Sequence, residues 1–113
     1  MSDRERDEQL LQYIAESIAL IARYTAEGED AFFRDPMIRD AVLRRLETLA
    51  DAAGHLSAEL TSRHSDIPWR AINGFRNVAA HGYLGLDMAR VWTTVQAQLP
   101  ALNAAVNQEL KLA

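Results

Sequence analysis

The sequence predicts an all-α bundle of four or five helices. Apolar residues recur at spacings of three and four along nearly the whole chain, the breaks between these ladders carry helix start and stop chemistry, and no stretch alternates apolar and polar residues as a strand would.

The elements follow in order. Ser2 with Glu5 forms a capping-box pattern, and Leu10, Ile14, Ile18 and Ile21 then occupy one face of a first helix, expected to end near Glu27-Gly28. Asp35-Pro36 is the next start signal, an N-cap followed by proline at the first helical position. It opens the ladder Ile38, Val42, Leu46, Leu49, Ala53, Leu56 and Leu60, read as one long helix with Gly54 inside it, packed on a partner helix. Ser62 to Asp66 is polar. Asp66-Ile67-Pro68-Trp69 reads as another capped start, and Ile72, Phe75, Val78 and Ala79 give a short apolar face that frays near Ala80. His81-Gly82-Tyr83-Leu84-Gly85 reads as a turn. Asp87 then caps a helix carrying Met88, Val91, Trp92, Val95 and Leu99, Pro100 breaks or kinks the chain, and Ala101 to Leu112 forms a last amphipathic helix.

At 113 residues, 49% hydrophobic and 25% charged, the chain has the size and composition of one soluble domain over residues 1–113. That size supports a core but no deep cofactor cleft. The absence of cysteine excludes disulfides, thiolate metal sites and a cysteine nucleophile, and fits a reducing compartment. The mixed-charge start is followed by no continuous apolar run, so neither a signal peptide nor a membrane span is expected, and the expected location is cytoplasmic. His55 and His64 read as surface residues without metal-site spacing, and Trp69 and Trp92 as core or interface residues.

Charge is placed unevenly. The whole chain carries twelve basic and sixteen acidic residues for a net charge of -4, yet Arg63 to Arg90 holds four Arg against two acids, Asp66 and Asp87. This window is the candidate anion-binding region of an otherwise acidic protein. All basic residues but Lys111 are Arg, a bias that suits bidentate phosphate contact and equally follows from a GC-rich genome. Within the window Arg76, Asn77, His81 and Tyr83 cluster at the end of a short helix. On a continuous helix Arg76 and His81 diverge by about 140°. They converge if the helix ends before His81, or if a dimer brings two copies together. By themselves the residues fit a structural His and a packed Tyr as well as a site.

From Asp40 to Leu102 the chain resembles the HepT-like branch of the HEPN superfamily. The residues that carry the resemblance are Ala41-Val42-Leu43-Arg44-Arg45-Leu46-Glu47, Ile67-Pro68-Trp69, Phe75-Arg76-Asn77, Ala80-His81-Gly82-Tyr83, Val91-Trp92 and Leu99-Pro100. The hallmark is an Arg, a polar residue, three more residues, a His, and a Tyr two further on. The resemblance implies a HEPN-like helical bundle that acts as the toxin of a type VII-like toxin–antitoxin pair. It implies a metal-independent endoribonuclease without cofactor, acting on tRNA or mRNA rather than DNA, with Arg76 and His81 catalytic and Asn77, Tyr83 and Asp51 supporting. It implies a homodimer, with or without higher-order assembly, and an MntA-like nucleotidyltransferase antitoxin that transfers AMP to Tyr83. The alternative is a catalytically silent HEPN module that binds a nucleotide or partner. Where the family often carries Gly-Glu-Ala on the long helix, this chain has Ala50-Asp51-Ala52, so Asp51 either orients Arg76 or His81 or is a plain surface acid.

The chemistry of the side chains agrees with these roles. Metal-free RNA cleavage needs a base for the ribose 2′-OH, an acid for the departing 5′-oxygen and a fixed cation for the transition-state charge. His81 titrates in the range required for the first two, and Arg76 supplies the third.

Overall fold

The computed structural model describes residues 2–81 and 87–112, with the side chains of 77–81 outside that description. Helix α1, Asp3–Tyr24, starts where Ser2 accepts a hydrogen bond from the Glu5 amide at 3.1 Å and donates one to the Glu5 carboxylate at 3.1 Å. Its inner face buries Leu11, Ile14, Ile18 and Ile21. It ends at Tyr24, three residues short of the expected Glu27, and Thr25 caps it, its amide and hydroxyl both donating to the Ile21 carbonyl. Gly28, at φ 99°, then turns the chain into a short helix that the sequence pattern does not predict, α2, Glu29–Arg34. Six residues are too few for periodicity to register. Yet α2 seats Phe32 in the core, fully buried and 5.2 Å from the Trp92 ring.

Helix α3, Pro36–Gly54, begins as its sequence predicts, with Asp35 accepting from the Met37 amide at 2.9 Å and Pro36 in the first turn. The long ladder, however, is two helices. Gly54 is the last residue of α3, and Leu60 belongs to a separate helix, α4, Ala58–Ser62. The reason is a tertiary cap. Asp7 of α1 accepts from the Ser57 amide at 2.9 Å and its hydroxyl at 2.6 Å, while Ser57 Oγ accepts from the Leu60 amide. Leu56, within the break, and Leu60, beyond it, remain buried, so the three-and-four spacing survives it.

Helix α5, Trp69–His81, follows Pro68, whose carbonyl accepts from the Ile72 amide. It runs through His81 and does not end before it, since nothing in Asn77-Val78-Ala79-Ala80 breaks a helix. The turn read at 82–85, and with it Tyr83, lies outside the described residues. Asp87 caps α6, Met88–Ala97, by accepting from the amides of Ala89 and Arg90. Helix α7, Leu99–Leu112, starts one residue before Pro100, which therefore sits in a first turn where its missing N–H is no loss.

Five helices of ten or more residues and two short ones thus form an all-α bundle among the described residues. Helix α3 is central, packing on α1 and α5, while α7 packs on α1 and α6. Ile14, Ile21, Val42, Leu46, Leu49 and Leu102 fill the core at 0–2% exposure, each worth about 1.5–3 kcal/mol of apolar burial. Among the described residues no helix is long and apolar enough to cross a membrane.

Candidate active site

The pairing of α3 with α5 places the motif. Ile72 is buried in the core, Phe75 packs at its edge, and Leu46, Leu49 and Ala50 of α3 line the same small cavity as these two residues. Arg76, one turn on from Ile72, lies at the edge of this contact and reaches solvent. Its Nη1 donates to Asp51 Oδ1 of α3 at 3.1 Å, with side chains 57% and 52% exposed respectively. Asp51, a half-exposed acid on the surface of α3, is thus in contact with Arg76.

The same carboxylate has a second neighbour. Asp51 Oδ2 lies 4.0 Å from Nδ1 of His55, one turn further along α3, and that nitrogen donates to the Asp51 backbone carbonyl at 2.8 Å. Asp51 thus joins Arg76 and His55 in one solvent-facing group across two helices. By sequence His55 reads only as a surface residue, although its spacing of four from Asp51 is a signal that the two share a helix face.

Of the remaining motif residues, Asn77 and His81 are in α5, with side chains outside the described residues, and Tyr83 lies outside them altogether. Because α5 is continuous, positions 76 and 81 are separated by about 140° around its axis and about 7.5 Å along it.

A second charged cluster holds the base of α5. His64 is buried, contrary to its reading as a surface residue, because Glu109 of α7 receives it: His64 Nε2 lies 2.6 Å from Glu109 Oε2. Arg63 donates to the same carboxylate from Nη2 at 2.8 Å and from Nε at 3.3 Å. The hydrogen bond from Arg63, aided by His64, holds the Glu109 carboxyl below its ordinary range against the opposing effect of burial. The carbonyl of His64, with that of Thr61, accepts from the Trp69 indole at 3.0 and 3.2 Å. The chain from Glu109 to Trp69 therefore fixes where α5 begins, and through α5 where Arg76 stands. No local pattern announces it, since Glu109 lies 45 residues from His64.

The family described as Ribonuclease HepT-like matches residues 14–109. A "Probable ribonuclease HepT" of Thermococcus cleftensis is 36% identical over 94 residues, which cover 81% of this chain and 84% of that protein. A "Putative RNase" of Caldanaerobacter subterraneus subsp. tengcongensis is 32% identical over 92 residues, covering 81% and 82%. A "Gamma-glutamylcyclotransferase and putative RNase" of Methanocaldococcus jannaschii is 34% identical over 97 residues, covering 85% of this chain. The chain spans 44% of the length of that last relative. No solved structure gives a significant match.

Proposed function

Since this chain belongs to the Ribonuclease HepT-like family, we propose that it is the toxin of a toxin–antitoxin pair and cleaves RNA without a metal ion, through Arg76 and His81. The observation that carries this reading is the hydrogen bond by which Asp51 holds the solvent-facing Arg76, about one and a half turns along α5 from His81.

In this mechanism His81 takes the proton of a ribose 2′-OH as the 2′-oxygen attacks the adjacent phosphorus. The bond from phosphorus to the 5′-oxygen breaks, and that oxygen leaves with a proton from a second donor. The products are a 2′,3′-cyclic phosphate and a 5′-hydroxyl. Arg76 stabilises the charge on the phosphorane-like transition state, and its bond to Asp51 leaves most of its five donors free for phosphate. Asn77 orients the His or the scissile phosphate, and Tyr83 contacts a phosphate or base.

One chain offers one motif His, and on a continuous α5 its position lies about 140° around the axis from that of Arg76. A symmetric dimer resolves the second point by presenting Arg76 of one copy and His81 of the other to a single strand, and the proton for the leaving oxygen then comes from a group other than that His81. Regulation fits the same site. An MntA-like nucleotidyltransferase antitoxin would form a bond between the Tyr83 oxygen and the α-phosphorus of ATP, releasing pyrophosphate. The added AMP carries bulk and negative charge into a cleft that must accept RNA.

Incubation of the purified chain with total tRNA in EDTA tests the reading. Wild type should yield discrete fragments and His81→Ala none. Binding of RNA without fragments by both would instead support a silent binding module.

A further inference from the structure

Resting on the RNA-cleavage reading, we infer that the outward face of α5 carries the substrate strand away from the cut, with Arg70 binding a backbone phosphate and Gly74 letting the strand pass close to the helix. The basic window of Arg63 to Arg90 holds four arginines. Arg63 is bound to Glu109, Arg76 to Asp51, and Arg90 stands on α6. Arg70 is exposed, and no ion pair among the described residues includes it. Its guanidinium offers a permanent charge and a planar fork of donors, which suits a phosphate.

Helix geometry puts Arg70 on the face of position 81 and not on that of Arg76. At 100° per residue, positions 70, 74 and 77 of α5 lie within about 40° of position 81 around the axis, and position 72 lies opposite. Ile72 is buried in the core, so the face of 70, 74, 77 and 81 is the one turned away from it.

Gly74 is an independent observation on the same face. A glycine inside a helix weakens it, and close approach of another group to the backbone is a reason to have one. Here a Cβ at 74 would meet no atom within 4 Å among the described residues, so the chain's own packing does not require the glycine. It leaves bare backbone between Arg70 and positions 77 and 81, where a strand can lie against the helix. From position 81 to Arg70 is about 16 Å along the axis. Stacked nucleotides advance by about 3.4 Å, so the phosphate at Arg70 is about five nucleotides from the one beside position 81.

The test uses the full chain and an uncleavable 2′-O-methyl oligonucleotide of about twelve nucleotides, with binding measured against salt concentration. Arg70→Ala should bind several-fold more weakly than wild type. Its plot of log affinity against log salt should be shallower by about 0.7, the slope that neutralising one phosphate of a single strand contributes. Arg70→Lys should keep the steeper slope. Gly74→Ala should melt no lower than wild type, since it removes a glycine from a helix, and should still bind more weakly. Both alanine variants should keep the oligomeric state of wild type. Equal slopes for Arg70→Ala and wild type, or undiminished binding by Gly74→Ala, would overturn this inference and leave the RNA reading standing. A changed oligomeric state in either variant would also overturn it, by making this face a contact between copies. A wild type that neither binds nor cleaves RNA would overturn the RNA reading and this inference with it.

Discussion

Oδ1 of Asp51 on α3 accepts a hydrogen bond from Nη1 of Arg76 on α5 at 3.1 Å, across 25 residues of sequence. Both side chains are more than half exposed, so the pair contributes only about 0–1 kcal/mol to stability. In the proposed mechanism its role is to aim a guanidinium. Asp51→Ala should therefore leave thermal stability nearly unchanged and lower kcat by roughly 10- to 100-fold, the cost of a misplaced catalytic group. Asp51→Glu should recover most of the loss. Unchanged turnover in Asp51→Ala would remove Asp51 from the site.

Arg76 and His81 lie on one continuous helix but on different faces of it, and the proposed site draws them from different copies. Arg76→Ala and His81→Ala should each be inactive alone. Mixed and allowed to exchange subunits, they should regain about a quarter of wild-type activity, since half the dimers are then mixed and one of two sites in each is intact. A mixture as inactive as its components would place the whole site within one chain.

The cluster of Glu109, His64 and Arg63 makes a different kind of prediction. The folded state holds the Glu109 carboxyl below its ordinary range. Stability from this group is thus present above the unfolded carboxyl value and is lost as the pH falls through the lower, folded value. Denaturant melts between pH 2 and pH 5 should show wild type losing stability that Glu109→Gln never had. At neutral pH the same substitution should cost roughly 1–3 kcal/mol, because it weakens charge-assisted bonds to a buried group. A Glu109→Gln curve parallel to wild type through the acid range would contradict this.

Tyr83 supplies a prediction about control. With ATP and the proposed nucleotidyltransferase antitoxin, intact mass should rise by one or more AMP units, and peptide spectra should locate them at Tyr83. Tyr83→Phe should stay unmodified. Neutralisation of a toxin whose Tyr83 remains bare would make simple complex formation the mechanism.

The helical class is legible in the sequence because burial repeats with the helix. Ile14, Ile18, Ile21, Val42, Leu46 and Leu49 stand out by their spacing and are all in the core. The caps at Ser2, Asp35 and Asp87 are equally legible, being local chemistry. What escapes the sequence is tertiary. The break between α3 and α4 depends on Asp7, 50 residues before Ser57, and the burial of His64 depends on Glu109. Neither partner is visible from a window on the other. The contact of Asp51 with Arg76 is one of two readings that the sequence leaves open, since a helix-surface acid looks the same whether or not another helix brings it a guanidinium.

The central claim is that the chain cuts RNA with the ribose 2′-OH as nucleophile and His81 as its base. The most direct measurement is mass spectrometry of the ends left on a short RNA by wild type and His81→Ala in EDTA. The account predicts 2′,3′-cyclic phosphate and 5′-hydroxyl ends from wild type, no cleavage by His81→Ala, and no cleavage where the ribose at the cut site lacks its 2′-OH. Cleavage that survives loss of the 2′-OH or of His81, or ends bearing a 3′-hydroxyl and a 5′-phosphate, would contradict it.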